Sequence, residues 1–310
     1  MSTKKNKLLI TIVGPTAIGK TALSILLANH FNTEIISCDS RQFYKEMTIG
    51  TAVPSTTEIN AAKHHFIQNR SIFDDYSVGQ FERDALKTLK QLFTTHDVVI
   101  MVGGSGLYVD AVITGLDAFP EVAPEIRATL NQQLAEFGIE HLQQQLKTLD
   151  LETYTSIAID NPHRIIRALE ICIGSDLPYA TFKNKPKTPR PFTAIKIGLN
   201  ADREIIYNRI NQRVDNMLQE GLLDEAKALY PHKNLNALQT VGYRELFSFF
   251  DGDISKEFAV QEIKKNTRRF AKRQLTWFRK DKNIGWFDYK TNPLEVIFAI
   301  ENLTGIKQKS

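Results

Sequence analysis

The eight residues Gly14-Pro15-Thr16-Ala17-Ile18-Gly19-Lys20-Thr21 constrain this chain more than any other stretch. They satisfy the spacing G-x-x-x-x-G-K-[ST] at each fixed position, behind the apolar run of residues 8–13 and ahead of the helix-like residues 21–28. A loop between strand and helix is the context in which this spacing cradles an anion. Glycines let backbone N–H groups turn inward, and the helix start adds its positive dipole end. Lys20 supplies charge for the outer phosphate oxygens, and the Thr21 hydroxyl can ligate Mg²⁺. A diphosphate or triphosphate is expected here. The spacing leaves open whether it belongs to a nucleotide.

Strand-like runs alternate with helical patterns through the first third: residues 8–13, 21–31, 34–37, 80–93 and 98–102. That order predicts an α/β fold with a parallel sheet and crossover helices, a P-loop NTPase-like core whose ligands sit at the carboxyl ends of the strands. Three polar clusters fall at those ends: the phosphate loop, Asp39-Ser40-Arg41-Gln42, and Gly103-Gly104-Ser105-Gly106. They are expected to surround one cleft.

From Leu116 to Arg190 helical patterns continue without strands. Pro124 and Glu125 suit a helix start and Gly138 its end, a second helix covers 162–173, and the Lys- and Pro-rich residues 183–191 read as an extended connector. Strand-like residues 194–199 follow, and the last third is mostly helical, including 203–218, 222–230 and 256–279. The expected organisation is a core of residues 1–115 and 191–310, with C-terminal helices, interrupted by a helical insertion at 116–190.

Bulk properties narrow the class. With 310 residues, 42% hydrophobic and 24% charged, the chain has an ordinary globular composition. A net charge of +4 is too small to demonstrate a polyanionic partner by itself. Cys38 and Cys172 are too few for a zinc site or a disulfide framework, so a reducing cytoplasm is expected. Residues 1–7 lack the apolar region and cleavage site of a leader, and no apolar run approaches the length of a membrane span.

Asp39, beyond the second strand, is placed to act as a general base or to hold Mg²⁺; the plainer reading is a turn residue. Ser105 offers a hydroxyl on a small-residue loop where substrate can approach closely, or else an N-cap. His163, Arg164 and Arg167 share a helix whose other side carries Ile165, Ile166 and Leu169. Residues 264–280 hold eight Lys or Arg, no acidic residue, and Phe270, Trp277 and Phe278 among them. Such a helix can follow a phosphate backbone while its aromatics pack inward. Together these signals suggest chemistry on RNA.

With these residues in view, the chain resembles the tRNA dimethylallyltransferase (tRNA isopentenyltransferase) family, in its bacterial form, from about Leu8 to Arg279. The likeness is carried by GPTAIGKT at 14–21, DSRQFY at 39–44, IGTAVP at 49–54, HHF at 64–66, GGSGLY at 103–108, HRIIRALE at 163–170, VGYRE at 241–245 and AKRQLTWFR at 271–279. The resemblance implies that Gly14, Pro15, Thr16, Ala17, Ile18, Gly19, Lys20 and Thr21 hold the diphosphate of dimethylallyl diphosphate rather than ATP. Arg213, in QRVDNML, would assist. Asp39 would accept a proton from the exocyclic amine of the adenosine 3′ to the anticodon, with Ser105 near the reacting centre and Mg²⁺ on the departing diphosphate.

A stacked purine would have to be extruded, at a cost repaid by phosphate contacts. The residues implied to meet tRNA are Asp39, Ser40, Arg41, Gln42, Ser105, Arg127, His163, Arg164, Ile165, Ile166, Arg167, Gln239, Thr240, Val241, Gly242, Tyr243, Arg244, Lys272, Arg273, Gln274, Trp277 and Arg279. The insertion would grip the anticodon stem-loop, and a monomer is the expectation. The sequence departs from the family pattern at Val53, where lysine is usual, and at Ser105, where threonine is common. It also lacks the C-terminal zinc finger of eukaryotic members. Two rival readings are a small-molecule kinase, which leaves the basic C-terminal helix unexplained, and a non-catalytic RNA-binding NTPase switch, which leaves Asp39 and Ser105 without a task.

Overall fold

The computed structural model of the chain describes residues 7–306, so the start read from residues 1–6 lies outside it. Among the described residues, β1 (Leu8–Val13), β2 (Ile35–Ser37), β3 (His64–His65), β4 (Val98–Val102), β5 (Thr193–Asn200) and β6 (Gly285–Asp288) form one sheet, ordered β3-β2-β4-β1-β5-β6 and parallel throughout. The helices are α1 (Lys20–His30), α2 (Thr56–Ala61), α3 (Val78–Thr95), α4 (Gly106–Ile113), α5 (Pro124–Leu149), α6 (Leu151–Ser156), α7 (Pro162–Ser175), α8 (Arg203–Gln219), α9 (Leu222–Leu229), α10 (Tyr243–Phe250), α11 (Lys256–Phe278) and α12 (Pro293–Thr304).

Strand β1 is buried at every position, as a central parallel strand covered on both faces requires. Its side chains alternate between two cores. Leu8, Ile10 and Ile12 pack with Leu23 and Leu27 of α1, Ile210 of α8 and Ile300 of α12. Leu9 and Val13 turn the other way, to Phe81 and Leu89 of α3 and Val109 of α4. Each such side chain contributes about 1.5–3 kcal/mol on burial, which locks the strand register and hence the position of the loop that follows it. A third cluster, with Leu222, Leu246, Phe247 and Ile263, ties α9, α10 and α11 together.

The chain divides into two compact units: one holds the described residues up to Thr114 and from Arg190 onward, the other spans Gly115–Pro189. The second unit is built on α5 and α7, with Leu130, Leu142, Leu146, Ile165, Ile166 and Leu169 inside. Asn161 caps α7 by accepting from the N–H groups of His163 and Arg164, and Pro162 sits at its first turn. Gly138 ends the first helical segment of α5, as expected. Its φ of 79° and ψ of 179° lie outside the helical region, and a second helical segment, carrying Leu142 and Leu146, runs from this kink to Leu149.

Ile165 and Ile166 do correct an expectation. Both are buried in this unit's core, so their side chains hold α7 in place and the outward-facing chemistry falls to their neighbours. No helix among the described residues is long and apolar enough to cross a membrane.

Candidate active site

The phosphate loop hangs between β1 and α1, and its shape is dictated at both ends. Gly14 has φ of +144°, and a Cβ there would stand 2.5 Å from the Leu199 carbonyl oxygen on β5. Only glycine fits. Lys20 opens α1 and folds back over the loop, donating to the carbonyls of Gly14 at 3.0 Å and Pro15 at 2.8 Å. Burial pulls its ammonium down to about 8 despite the opposing pull of Asp39.

Two arginines of α8 reach the same loop: Arg209 Nε donates to the Ala17 carbonyl at 2.6 Å, and Arg213 to Thr16 Oγ1 at 3.3 Å. Burial, and then the neighbouring Arg209, lower the Arg213 pKa. Crowded cations of this kind are relieved by an anion placed among them.

At the carboxyl end of β2, Asp39 Oδ1 accepts from the Arg41 N–H at 3.2 Å. Arg41 in turn donates to the carbonyls of Asn236 at 3.1 Å and Ala237 at 2.9 Å. Beyond β4, Ser105 occupies the N-cap position of α4, yet its side chain makes no capping bond. Instead Ser105 Oγ accepts from the Ser40 N–H at 3.3 Å, bringing the Asp39 and Ser105 loops together.

Two cavities meet at these residues. One, of about 580 Å³, is lined by the phosphate loop with Ser37, Asp39, Val53, His64, Arg209 and Arg213. The other, of about 320 Å³, is lined by Ser40, Arg41, Ser105, Gln239, Thr240, Val241, Gly242, Arg244, Phe270 and Arg273. Thr16, Asp39 and Arg213 line both.

Residues 48–50, on the rim of these cavities, are held by Glu225 of α9. Its carboxylate accepts from the N–H groups of Thr48 at 2.9 Å, Ile49 at 2.8 Å and Gly50 at 2.9 Å, and from the Tyr243 hydroxyl at 2.6 Å. Burial, then the Glu225 charge, push the Tyr243 phenol far up. Tyr243 is fully buried, so this member of the implied tRNA-facing set is a strut within the core.

Gln274 links the phosphate loop to the loop after β4. It is 5% exposed; its Oε1 accepts from the Thr16 N–H at 2.8 Å and its Nε2 donates to the Gly104 carbonyl at 3.0 Å. A Cβ on Gly104 would stand 2.1 Å from that amide, and one on Gly106 2.2 Å from the Trp277 ring. These glycines therefore make room for side chains of α11, while Ser105 between them lines the second cavity. Trp277 also donates its indole N–H to Asp110 at 2.9 Å.

The basic face of α11 is not uniform. In its first half Lys264 pairs with Asp215 at 2.6 Å and Lys265 with Glu262, while Arg268 keeps its charge and donates to the Asn211 amide at 2.8 Å. Lys272, Arg273 and Arg279 are exposed. In the other unit, Arg127 and Arg167 both donate to Glu170, at 2.7 and 3.1 Å, while remaining 49% and 40% exposed along their side chains. His163 and Arg164 are exposed on the same helix as Arg167. Arg209, Glu225, His64 and the strut role of Gln274 had no place in the sequence reading; HHF and KRQLTW were visible as motifs only.

Known relatives point to a single family. The family model described as IPP transferase matches residues 42–281. A tRNA dimethylallyltransferase of Flavobacterium johnsoniae is 62% identical over 304 residues, covering 96% of this chain and 98% of that protein. One of Bacteroides thetaiotaomicron is 44% identical, covering 96% of each chain. The solved tRNA isopentenylpyrophosphate transferase of Bacillus halodurans is 36% identical with a TM-score of 0.71, covering 97% of this chain and 96% of that one. This chain belongs to the IPP transferase family, that of the tRNA dimethylallyltransferases.

Proposed function

We propose that the protein transfers a dimethylallyl group from dimethylallyl diphosphate to the exocyclic amine of the adenosine 3′ to the anticodon of tRNA, releasing diphosphate. The observation that carries this reading is the pair of cavities that share Thr16, Asp39 and Arg213. A wall carrying Lys20, Arg209 and Arg213 beside the start of α1 suits a diphosphate; the adjoining cavity, with Phe270 and Arg273 on its wall, suits a flipped base and its flanking phosphates. A kinase would need a small-molecule site where the second cavity is instead bordered by an exposed basic helix. A switch would have no use for a carboxylate at the junction.

The amine lone pair attacks the allylic carbon as the carbon–oxygen bond breaks, and the bond's electron pair leaves on the diphosphate. Asp39 receives the amine proton. Lys20, Arg213, Arg209 and the loop N–H groups balance charge growing on the leaving oxygen. Ser105, hydrogen-bonded to Ser40, orients the acceptor beside Asp39.

Thr21 and Asp39 both line the donor cavity, and no group of three or more His, Cys, Asp or Glu among the described residues could hold a metal ion. Few protein ligands, a hydroxyl and a carboxylate beside a diphosphate fit Mg²⁺, which keeps waters and binds through substrate phosphates. Mg²⁺ would neutralise part of the leaving charge. Lys272, Arg273 and Arg279 on α11, with Arg127, His163, Arg164 and Arg167 in the insertion, meet the phosphate backbone of the anticodon stem-loop. The working place of the enzyme is the cytoplasm.

Incubation with Mg²⁺, unmodified tRNA and either dimethylallyl diphosphate or ATP, followed by mass spectrometry of the digested nucleosides, tests the reading. A dimethylallyl mass gain on that adenosine, dependent on the isoprenoid donor, is expected. ATP hydrolysis without the gain would refute it.

A further inference from the structure

His64 and His65 make up the edge strand β3, and successive strand residues face opposite ways. His65 is spent on Glu34, with Nε2 2.6 Å from its carboxylate. His64 lines the donor cavity. Its Nδ1 lies 2.7 Å from the Ala62 carbonyl oxygen, so Nδ1 carries the proton and Nε2 is left as a bare acceptor. That Nε2 is buried and has no hydrogen-bond partner among the described residues. A buried polar atom without a partner is costly, and here it belongs to a residue on the wall of a cavity suited to a polyanion.

We infer that His64 is a further donor-site residue, whose Nε2 takes up a proton when the donor diphosphate binds and donates an N–H hydrogen bond to a phosphate oxygen. The inference rests on the reading that a diphosphate occupies this cavity. In the free protein, burial holds the imidazole below its ordinary range, against the Ala62 carbonyl and Glu58, while His65 adds to the lowering. The other charged groups on the cavity wall are Lys20, Asp39, Arg209, Arg213 and Glu220.

A diphosphate placed among them raises the His64 pKa, so binding consumes a proton and affinity falls as pH rises through the histidine range of about 6–7.5. Lys20, poised at about 8, titrates in a separate window.

The test is calorimetric titration of Mg²⁺ and inorganic diphosphate into wild type and His64→Gln, in buffers of differing ionisation enthalpy between about pH 6 and 7.5. Glutamine keeps an N–H donor but cannot titrate. Wild type is expected to take up as much as about one proton more than the variant, and to lose affinity more steeply with pH. Equal proton uptake would overturn the role of His64 and leave the donor site standing; absence of diphosphate binding to wild type would overturn both. Should the variant fail to fold, the ring ¹⁵N shifts of His64 in wild type decide. Movement to the imidazolium form on saturation supports the inference, and an unchanged neutral ring overturns it.

Discussion

The two cavities that meet at Asp39 are built from different material. The donor cavity takes most of its anion-binding groups from one turn, residues 14–21, backed by a few side chains of α8. The second cavity is assembled from seven separated stretches, around Thr16, Ser40, Thr51, Ser105, Arg213, Thr240 and Phe270. A phosphate site made of backbone N–H groups needs only a loop of fixed shape, so eight consecutive residues announce it. A site that must hold a base and its flanking phosphates needs side chains aimed from many directions, and so depends on the whole fold of α8 to α11.

The largest break in this arrangement comes from Asp39→Ala. Turnover in a single-turnover assay should fall by roughly two to four decades, as loss of a general base does, with tRNA affinity nearly intact. An unchanged rate would remove Asp39 from the chemistry.

Lys20→Ala attacks only the donor side and should lower turnover by about two to three decades, again with little change in stem-loop binding by fluorescence anisotropy. Its charge also sets a pH signature. Because burial holds Lys20 at about 8, the free enzyme loses this cation as pH rises past that value. Donor KM should therefore rise on the alkaline side in wild type, a trend that Lys20→Arg would abolish.

Gln274→Leu should be felt on both sides at once, since it leaves the Thr16 N–H and the Gly104 carbonyl without their partner. Leaving buried groups unpaired costs about 1–3 kcal/mol, so a drop in melting temperature should accompany a fall in turnover larger than any change in tRNA affinity. A loss of tRNA affinity alone would make Gln274 a direct RNA contact instead. Arg273→Ala should weaken all substrate tRNAs alike by a few-fold and reduce the salt slope of binding by about one. The smallest effect is expected for Val53→Lys on the donor wall: a modest gain in diphosphate affinity at low salt, of the order of a surface ion pair, about 0.2–1 kcal/mol.

What the sequence made legible follows the same division. The strands β1 and β4, the phosphate loop and the meeting of the Asp39 and Ser105 clusters at strand ends were all readable, because continuous apolar runs and turn residues are local signals. β3 has two residues and β6 four, too short for any periodicity to register. Gly138 was readable as a helix end because glycine readily takes the positive φ found there, whereas the second segment that follows it directly, packed through Leu142 and Leu146, was not. The glycines at 104 and 106 were readable as small neighbours of Ser105, whereas the room they make for Gln274 and Trp277, some 170 residues away, was not. Ile165, Ile166 and Tyr243 sat within motifs implied to meet RNA, and motif membership cannot tell a side chain that touches a ligand from one that holds its neighbour.

If the two cavities are separate sites joined at Asp39, they fill together. Titrating Mg²⁺ and inorganic diphosphate into protein already saturated with the anticodon stem-loop measures this directly. One equivalent of diphosphate should bind with the stem-loop retained; displacement of either ligand by the other would contradict the two-cavity account.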